Sequence, residues 1–326
     1  MTSIGNWQTA IGNESQRRLA IVFPGQGSQS PGMGKELAER FPAARQVFEE
    51  ADDALGFAIS RLCFEGPAED LQLTENTQPA ILTVSVAAFR ALQSAGIGAP
   101  AFVAGHSLGE YSALVATGAL SLSDAVRTVR ARGRYMQEAV PVGTGAMAAV
   151  MGGELAAIER ICEAARQGQV CSIANLNSPS QAVIAGNTEA VDRAIEGLNG
   201  VAKRVIKLKV SAPFHCALMT PAQARLAADL ERLGFNNPSV PVVTNVDARA
   251  VTAPNELRNA LVRQVSAPVR WVESMQLLIG QGVNTFVEAG PGKVLSGLIR
   301  QINRDVKTLN VEDAASLETT KAALAA

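Results

Sequence analysis

The chain has 326 residues, 47% apolar and 18% charged, with a formal net charge of −1. That length buries a substantial core in one large domain or two smaller ones, and the near-neutral balance argues against a nucleic-acid or membrane partner. Four scattered cysteines (Cys63, Cys162, Cys171, Cys216) form no Cys-x-x-Cys pair, which speaks against a metal site or a disulfide framework and fits a reducing cytoplasm.

Residues 1–18 read as a polar leader without the apolar run of a signal peptide, and no stretch is long enough to span a bilayer. Leu19 to Phe23 is an apolar strand running into Pro24-Gly-Gln-Gly-Ser-Gln29. A dinucleotide fingerprint would need a third glycine where Ser30 stands, and Pro24 interrupts the turn. The glycines are better suited to letting backbone N–H groups approach a substrate oxygen. Phe41 to Leu55 has helical periodicity, and Thr77-Gln-Pro-Ala80 introduces a strongly apolar, buried helix over Ile81 to Leu92.

The most informative stretch is Ala101-Phe-Val-Ala-Gly-His-Ser-Leu-Gly-Glu110. An apolar strand meets a helix whose Leu108, Tyr111, Leu114 and Val115 recur at helical spacing. Between them lies Gly-x-Ser-x-Gly, the pattern of a nucleophilic serine on a sharp strand-to-helix turn. There Ser107 would face free N–H groups and the positive end of a helix dipole. The plainer alternative is an N-cap serine followed by Glu110 in an ordinary helix.

Leu122 to Ala139 is an amphipathic helix with four arginines. Arg130 and Arg134 lie one turn apart, while Arg132 is rotated by about 160° to 200° from both, so it faces another side, the interior being one option. From Gly145 the units shorten: strand (146–151), helix (155–166), strand (170–174), strand (181–185), helix (189–198), strand (204–210). This βαββαβ order is the ferredoxin-like arrangement, read as an insertion over 141–210 between Pro141-Val-Gly-Thr144 and Ser211-Ala-Pro213. A helix (221–233), strand (240–245), helix (269–281) and strand (283–288) continue the main domain, and their alternation implies a parallel sheet. Ala289-Gly-Pro-Gly-Lys293 is a structural turn, since Val294 stands where a phosphate loop needs Ser or Thr. It leads into a last core helix, Val294 to Ile302, and 313–326 reads as a tail.

A serine nucleophile needs a base, and the only histidines are His106 and His215. His106 is adjacent to Ser107 on an elbow where neighbouring side chains diverge. His215, in Ser211-Ala-Pro-Phe-His-Cys216, sits where the chain re-enters the main domain and is the candidate base, with Cys216 a competing nucleophile. An unperturbed histidine titrates near about 6.5, and no carboxylate partner is apparent that would raise the value.

Pro24-Gly-Gln-Gly-Ser-Gln29, Gly105-His-Ser-Leu-Gly-Glu110, Arg132-Gly133, Asn175-x-Asn-Ser-Pro179, Pro213-Phe-His215 and Glu288-x-Gly-Pro-Gly292 stand in an order that resembles the malonyl-CoA:acyl carrier protein transacylases. The resemblance runs from about Leu19 to Glu312. It implies an α/β-hydrolase-like parallel-sheet core (19–140 and 211–312) with an inserted ferredoxin-like subdomain (141–210). It further implies ping-pong transfer of malonyl from malonyl-CoA, through an ester on Ser107, to the phosphopantetheine thiol of acyl carrier protein, serving fatty acid biosynthesis without a cofactor. By the same resemblance His215 is the base and the backbone carbonyl of Gln264 orients it. The N–H groups of Gln26 and Leu108 form the oxyanion hole. Arg132 grips the malonyl carboxylate, and Phe214 and His106 join it in the substrate site. The chain is expected to act as a cytoplasmic monomer. Lys203-Arg204, Lys207 and Lys209 either attract an acidic carrier or form a solvated strand edge. Two other readings are a thioester hydrolase on the same Ser-His pair, which would not need Arg132, and a silent docking module, which intact Ser107 and His215 speak against.

Overall fold

In the computed structural model, residues 17–208, 210 and 212–325 are described. The expected leader falls outside them apart from Arg17 and Arg18, as do Lys209 and Ser211. Among the described residues ten strands are distributed over two sheets: β1 (Leu19–Phe23), β2 (Phe102–Gly105), β3 (Gly145–Met151), β4 (Cys171–Ser178), β5 (Gln181–Asn187), β6 (Arg204–Lys207), β7 (Val242–Thr244), β8 (Arg249–Val251), β9 (Thr285–Ala289) and β10 (Lys307–Val311). The six-stranded sheet has the order β10-β9-β1-β2-β7-β8.

Strand β1 is central to that sheet, and its side chains alternate between two buried faces. Ile21 and Phe23 enter the larger core, with Phe23 edge-on to Phe89 at 6.0 Å, while Ala20 and Val22 pack toward Trp271, Met275 and Ile299. Burial on both faces explains why the strands read as continuous apolar runs instead of alternating ones. The pairing is parallel except at β8, which returns antiparallel to β7 with Val242 opposite Val251. The core is the expected parallel sheet, and β8 is added at its edge because the turn at 245–248 is too short for a crossover and can only reverse the chain.

The smaller sheet is antiparallel, in the order β4-β5-β3-β6. With the helices Leu155–Arg166 and Thr188–Gly197 packed on one face around Ile158, Ile184 and Val191, it has the ferredoxin-like arrangement that periodicity predicts. It is tied to the main sheet's side of the molecule through Val269, whose N–H donates to Ala174 O and whose carbonyl accepts from Leu176 N–H, both at 2.9 Å. Its edge strand β6 exposes Arg204 and Lys207, the latter paired with Asp192.

The apolar helix and the C-terminal segment differ from expectation. The apolar helix starts at Thr74, not after Pro79, and runs to Ser94. Pro79 therefore lies inside it and forfeits one backbone hydrogen bond. The gain is burial: Thr77 and Gln78 are enclosed, and Thr77 Oγ1 closes the first turn by donating to Leu71 O at 2.6 Å. The expected tail is a helix, Ala314–Ala325, with Ala314, Leu317 and Thr320 buried. It belongs to the core, because β10 brings the chain back across the sheet edge and leaves an apolar face for it to cover. At the turn before Val294–Ile302, Glu288 accepts from the N–H groups of Leu295 (3.0 Å) and Ser296 (2.7 Å), so this turn is a carboxylate-capped helix start.

Candidate active site

Ser107 ends up strained because its surroundings over-determine it. Its φ is +53°, a left-handed conformation that a residue with a side chain adopts only when held there. A Cβ on Gly105 would lie 1.9 Å from the Gly109 carbonyl, and one on Gly109 would lie 2.2 Å from Phe23 O. Only glycine permits a turn this close. Asn245, just past β7, clamps it from outside: Oδ1 accepts from Ser107 N–H at 2.7 Å and Nδ2 donates to Gly105 O at 2.6 Å. The helix Gly109–Ala116, buried at every residue, follows directly, so its N-terminal dipole points toward the serine.

His215 also has a positive φ, +59°, and is 4% exposed. Its Nδ1 lies 2.9 Å from Gln264 O, and its Nε2 lies 2.8 Å from Ser107 Oγ. A carbonyl can only accept, so the proton sits on Nδ1 and Nε2 is free to accept the serine proton. Burial, and then the Arg132 charge, lower the pKa of His215 to about 3. The expectation of a titration near 6.5 is corrected: the imidazole stays neutral well into acid because its charged form would be desolvated beside a guanidinium.

His106 diverges from the serine as expected. It donates from Nε2 to Asn177 Oδ1 at 2.9 Å, its ring centroid is 5.5 Å from that of Trp271, and burial lowers its pKa. Cys216 is removed as a competing nucleophile. It is 1% exposed, its thiol donates to Pro213 O at 3.1 Å, and burial pushes its pKa up to about 11.

Arg132 does point inward, at 2% exposure. Arg130 instead stacks over Phe57 and Arg134 pairs with Glu138 on the outer face, so helical spacing separated them correctly. The Arg132 guanidinium donates to Gln78 Oε1 (2.7 Å), Gln264 Oε1 (2.9 Å) and Ser107 Oγ (3.1 Å). All three acceptors are neutral, and Nε has no partner. Among the described residues no carboxylate pairs with this buried cation. Glu110, fully buried, accepts at Oε2 from Asn245 N–H and Gln264 Nε2, each at 2.9 Å, and burial raises its pKa to about 7.

These groups open on a cavity of about 1020 Å³ between the two sheets. Gln26, Leu108, Arg132, His106 and Phe214 line it with Ser107 and His215, and the smaller sheet contributes Met147, Asn175 and Asn177. All eight residues expected at the site are thus brought together, Gln264 joining through His215 and Arg132. Sequence reasoning missed Gln78, Asn245 and the buried role of Glu110. In sequence Gln78 reads as part of a helix lead-in, and Asn245 as the end of a strand. Among the described residues no group of three or more His, Cys, Asp or Glu is placed to hold a metal ion, and no helix is long and apolar enough to cross a membrane.

A serine on a strand–helix elbow, a neutral histidine behind it and an unneutralised cation in the same cavity define an enzyme built for acyl transfer. The chain belongs to the acyl transferase domain family, which matches residues 20–322. It is similar to the malonyl CoA-acyl carrier protein transacylase of Escherichia coli K12, 52% identical over 87% of this chain and 93% of that one. The Bacillus subtilis protein of the same name is 49% identical over 92% and 95%. Among solved structures, an acyl carrier protein S-malonyltransferase from Vibrio cholerae matches with a TM-score of 0.91 at 49% identity, covering 93% of this chain and 99% of that one. A malonyl-transacylase in complex with its type II PKS acyl-carrier protein matches with a TM-score of 0.92 at 48% identity, covering 94% and 99%.

Proposed function

We propose that this chain transfers the malonyl group of malonyl-CoA to the phosphopantetheine thiol of an acyl carrier protein, supplying fatty acid biosynthesis. The observation that carries the choice of acyl group is Arg132, a buried guanidinium held only by neutral oxygens 3.1 Å from the nucleophile. A free carboxylate entering the cavity would give it the charged partner it lacks. Short neutral acyl groups would not, and a hydrolase that clears them has no use for such a cation.

In the first half-reaction Ser107 Oγ attacks the thioester carbonyl carbon while its proton passes to His215 Nε2. The oxyanion is received by the Gln26 and Leu108 N–H groups, where losing a single donor lowers the rate by about 10²- to 10³-fold. Collapse breaks the C–S bond, and His215 returns the proton to the departing CoA sulfur. The second half-reaction runs in reverse with the carrier thiol, which gives its proton to His215 and attacks the ester. Gln264 O holds the imidazole tautomer through both halves without adding charge. Phe214 and His106 bound the acyl cavity.

The reaction draws on side chains and backbone groups of this chain and its two substrates, so we assign no cofactor. Four unpaired cysteines fit a reducing cytoplasm. The division that accompanies this reading places the insertion at 141–210. Initial-rate kinetics test the mechanism: varying malonyl-CoA at several carrier concentrations should give parallel double-reciprocal lines. Intersecting lines would mean a ternary complex and no serine ester.

A further inference from the structure

Glu110 touches neither reacting atoms nor the acyl cavity, yet it is buried at 0% exposure one helical turn from the nucleophile. We propose that Glu110 is a positioning residue for substrate selection, which by fixing the Gln264 side-chain amide aims Arg132 at the acyl group. The proposal rests on the malonyl-transfer reading and deepens it.

The amide of Gln264 is fully committed. Its two N–H groups donate to Ser107 O (3.0 Å) and Glu110 Oε2 (2.9 Å), which leaves Oε1 as the acceptor for Arg132 Nη2 (2.9 Å). In the flipped orientation the NH₂ would face the guanidinium, donor against donor. Glu110, together with Ser107 O, therefore holds the amide in the orientation that Arg132 meets. The second donor to the same oxygen, Asn245 N–H at 2.9 Å, holds the carboxylate in place.

Interposing an amide also serves the substrate. A carboxylate in direct contact would fill the guanidinium fork with a charge-assisted pair. With Glu110 held one amide away, the fork keeps only neutral acceptors that an incoming carboxylate can displace. Gln78 Oε1 fixes the other nitrogen at 2.7 Å.

A residue that merely supported the elbow would slow acylation by every thioester alike, whereas one that aims Arg132 alters the ratio between malonyl and acetyl. Single-turnover acylation of Ser107 by malonyl-CoA and acetyl-CoA, measured on the full chain, separates these roles. Glu110→Leu and Gln264→Met should each lower the malonyl-to-acetyl ratio by about tenfold or more, whereas Glu110→Gln, which keeps an oxygen for both donors, should hold it within about threefold. Equal losses with both thioesters, or an unchanged ratio in Glu110→Leu, would overturn the proposal. So would loss of the ratio in Glu110→Gln. Should Glu110→Leu fail to fold, as judged by its melting curve, Gln264→Met carries the same comparison. A wild-type chain that never loads malonyl would instead sink the underlying reading. A chain that loads malonyl and loses its preference in Arg132→Ala, but not in Glu110→Leu, sinks only the proposal.

Discussion

Arg132→Ala should lower kcat/KM for malonyl-CoA by about ten- to a hundredfold while leaving acetyl-CoA unchanged or improved. Malonyl and acetyl thioesters differ only in the carboxylate that Arg132 is positioned to hold. A hydrogen bond to a charged group contributes roughly 1.5 to 3 kcal/mol, and each 1.4 kcal/mol or so is tenfold. A second effect adds to this in the wild type: an acetyl group leaves the desolvated guanidinium without a charged partner. Removing the cation abolishes both effects, so the preference should collapse. A variant that keeps its malonyl preference would mean that some other group holds the carboxylate.

His215→Ala should slow acylation of Ser107 by about 10² to 10⁴, the usual worth of a positioned general base. The pH dependence of the wild type follows from the lowered pKa. Only the neutral imidazole accepts the serine proton, and His215 becomes charged only as the pH falls toward 3. Single-turnover acylation should therefore stay level from neutral pH down to about 5, where an unperturbed histidine with a pKa near about 6.5 would already be protonated. Glu110, with its pKa near 7, titrates inside that window, so the profile is best repeated in Glu110→Gln, where any inflection near 7 should vanish. An acid limb centred near 6.5 that persists in this variant would show that His215 is not desolvated in the working enzyme.

Most of the chemistry was legible because it is written in local patterns. Gly105 and Gly109 announce a turn that only glycine fits, and the spacing within Leu122–Glu138 distinguishes Arg132 from its neighbours. With only two histidines, the search for a base was short. The ferredoxin-like order followed from short alternating units, and its helix Leu155–Arg166 matched to the residue.

Other features depend on distant contacts. Gln78 acquires its role only because a buried helix extends backward through Pro79, against the ordinary reading of proline as a helix-entry residue. Asn245 lies 138 positions from the serine whose N–H it accepts, and nothing near it in sequence marks it as a clamp. The helix Pro254–Gln264 went unread even though Pro254 occupies its first turn, and with it the physical basis for Gln264, whose carbonyl and amide emerge at its C-terminal end. The depressed pKa of His215 was beyond reach for the same reason. It comes from near-complete burial and from a guanidinium 83 positions earlier in the chain, and neither is a local property.

The central claim is that Ser107 carries malonyl between two thiols, and intact-protein mass spectrometry with peptide mapping tests it most directly. After incubation with malonyl-CoA alone, one malonyl group should be found on Ser107 and should persist. Adding phosphopantetheinylated carrier protein should remove it and leave malonyl on the carrier, and Ser107→Ala should never acquire it. An adduct on Cys216, or release of free malonate in the absence of carrier, would contradict the account.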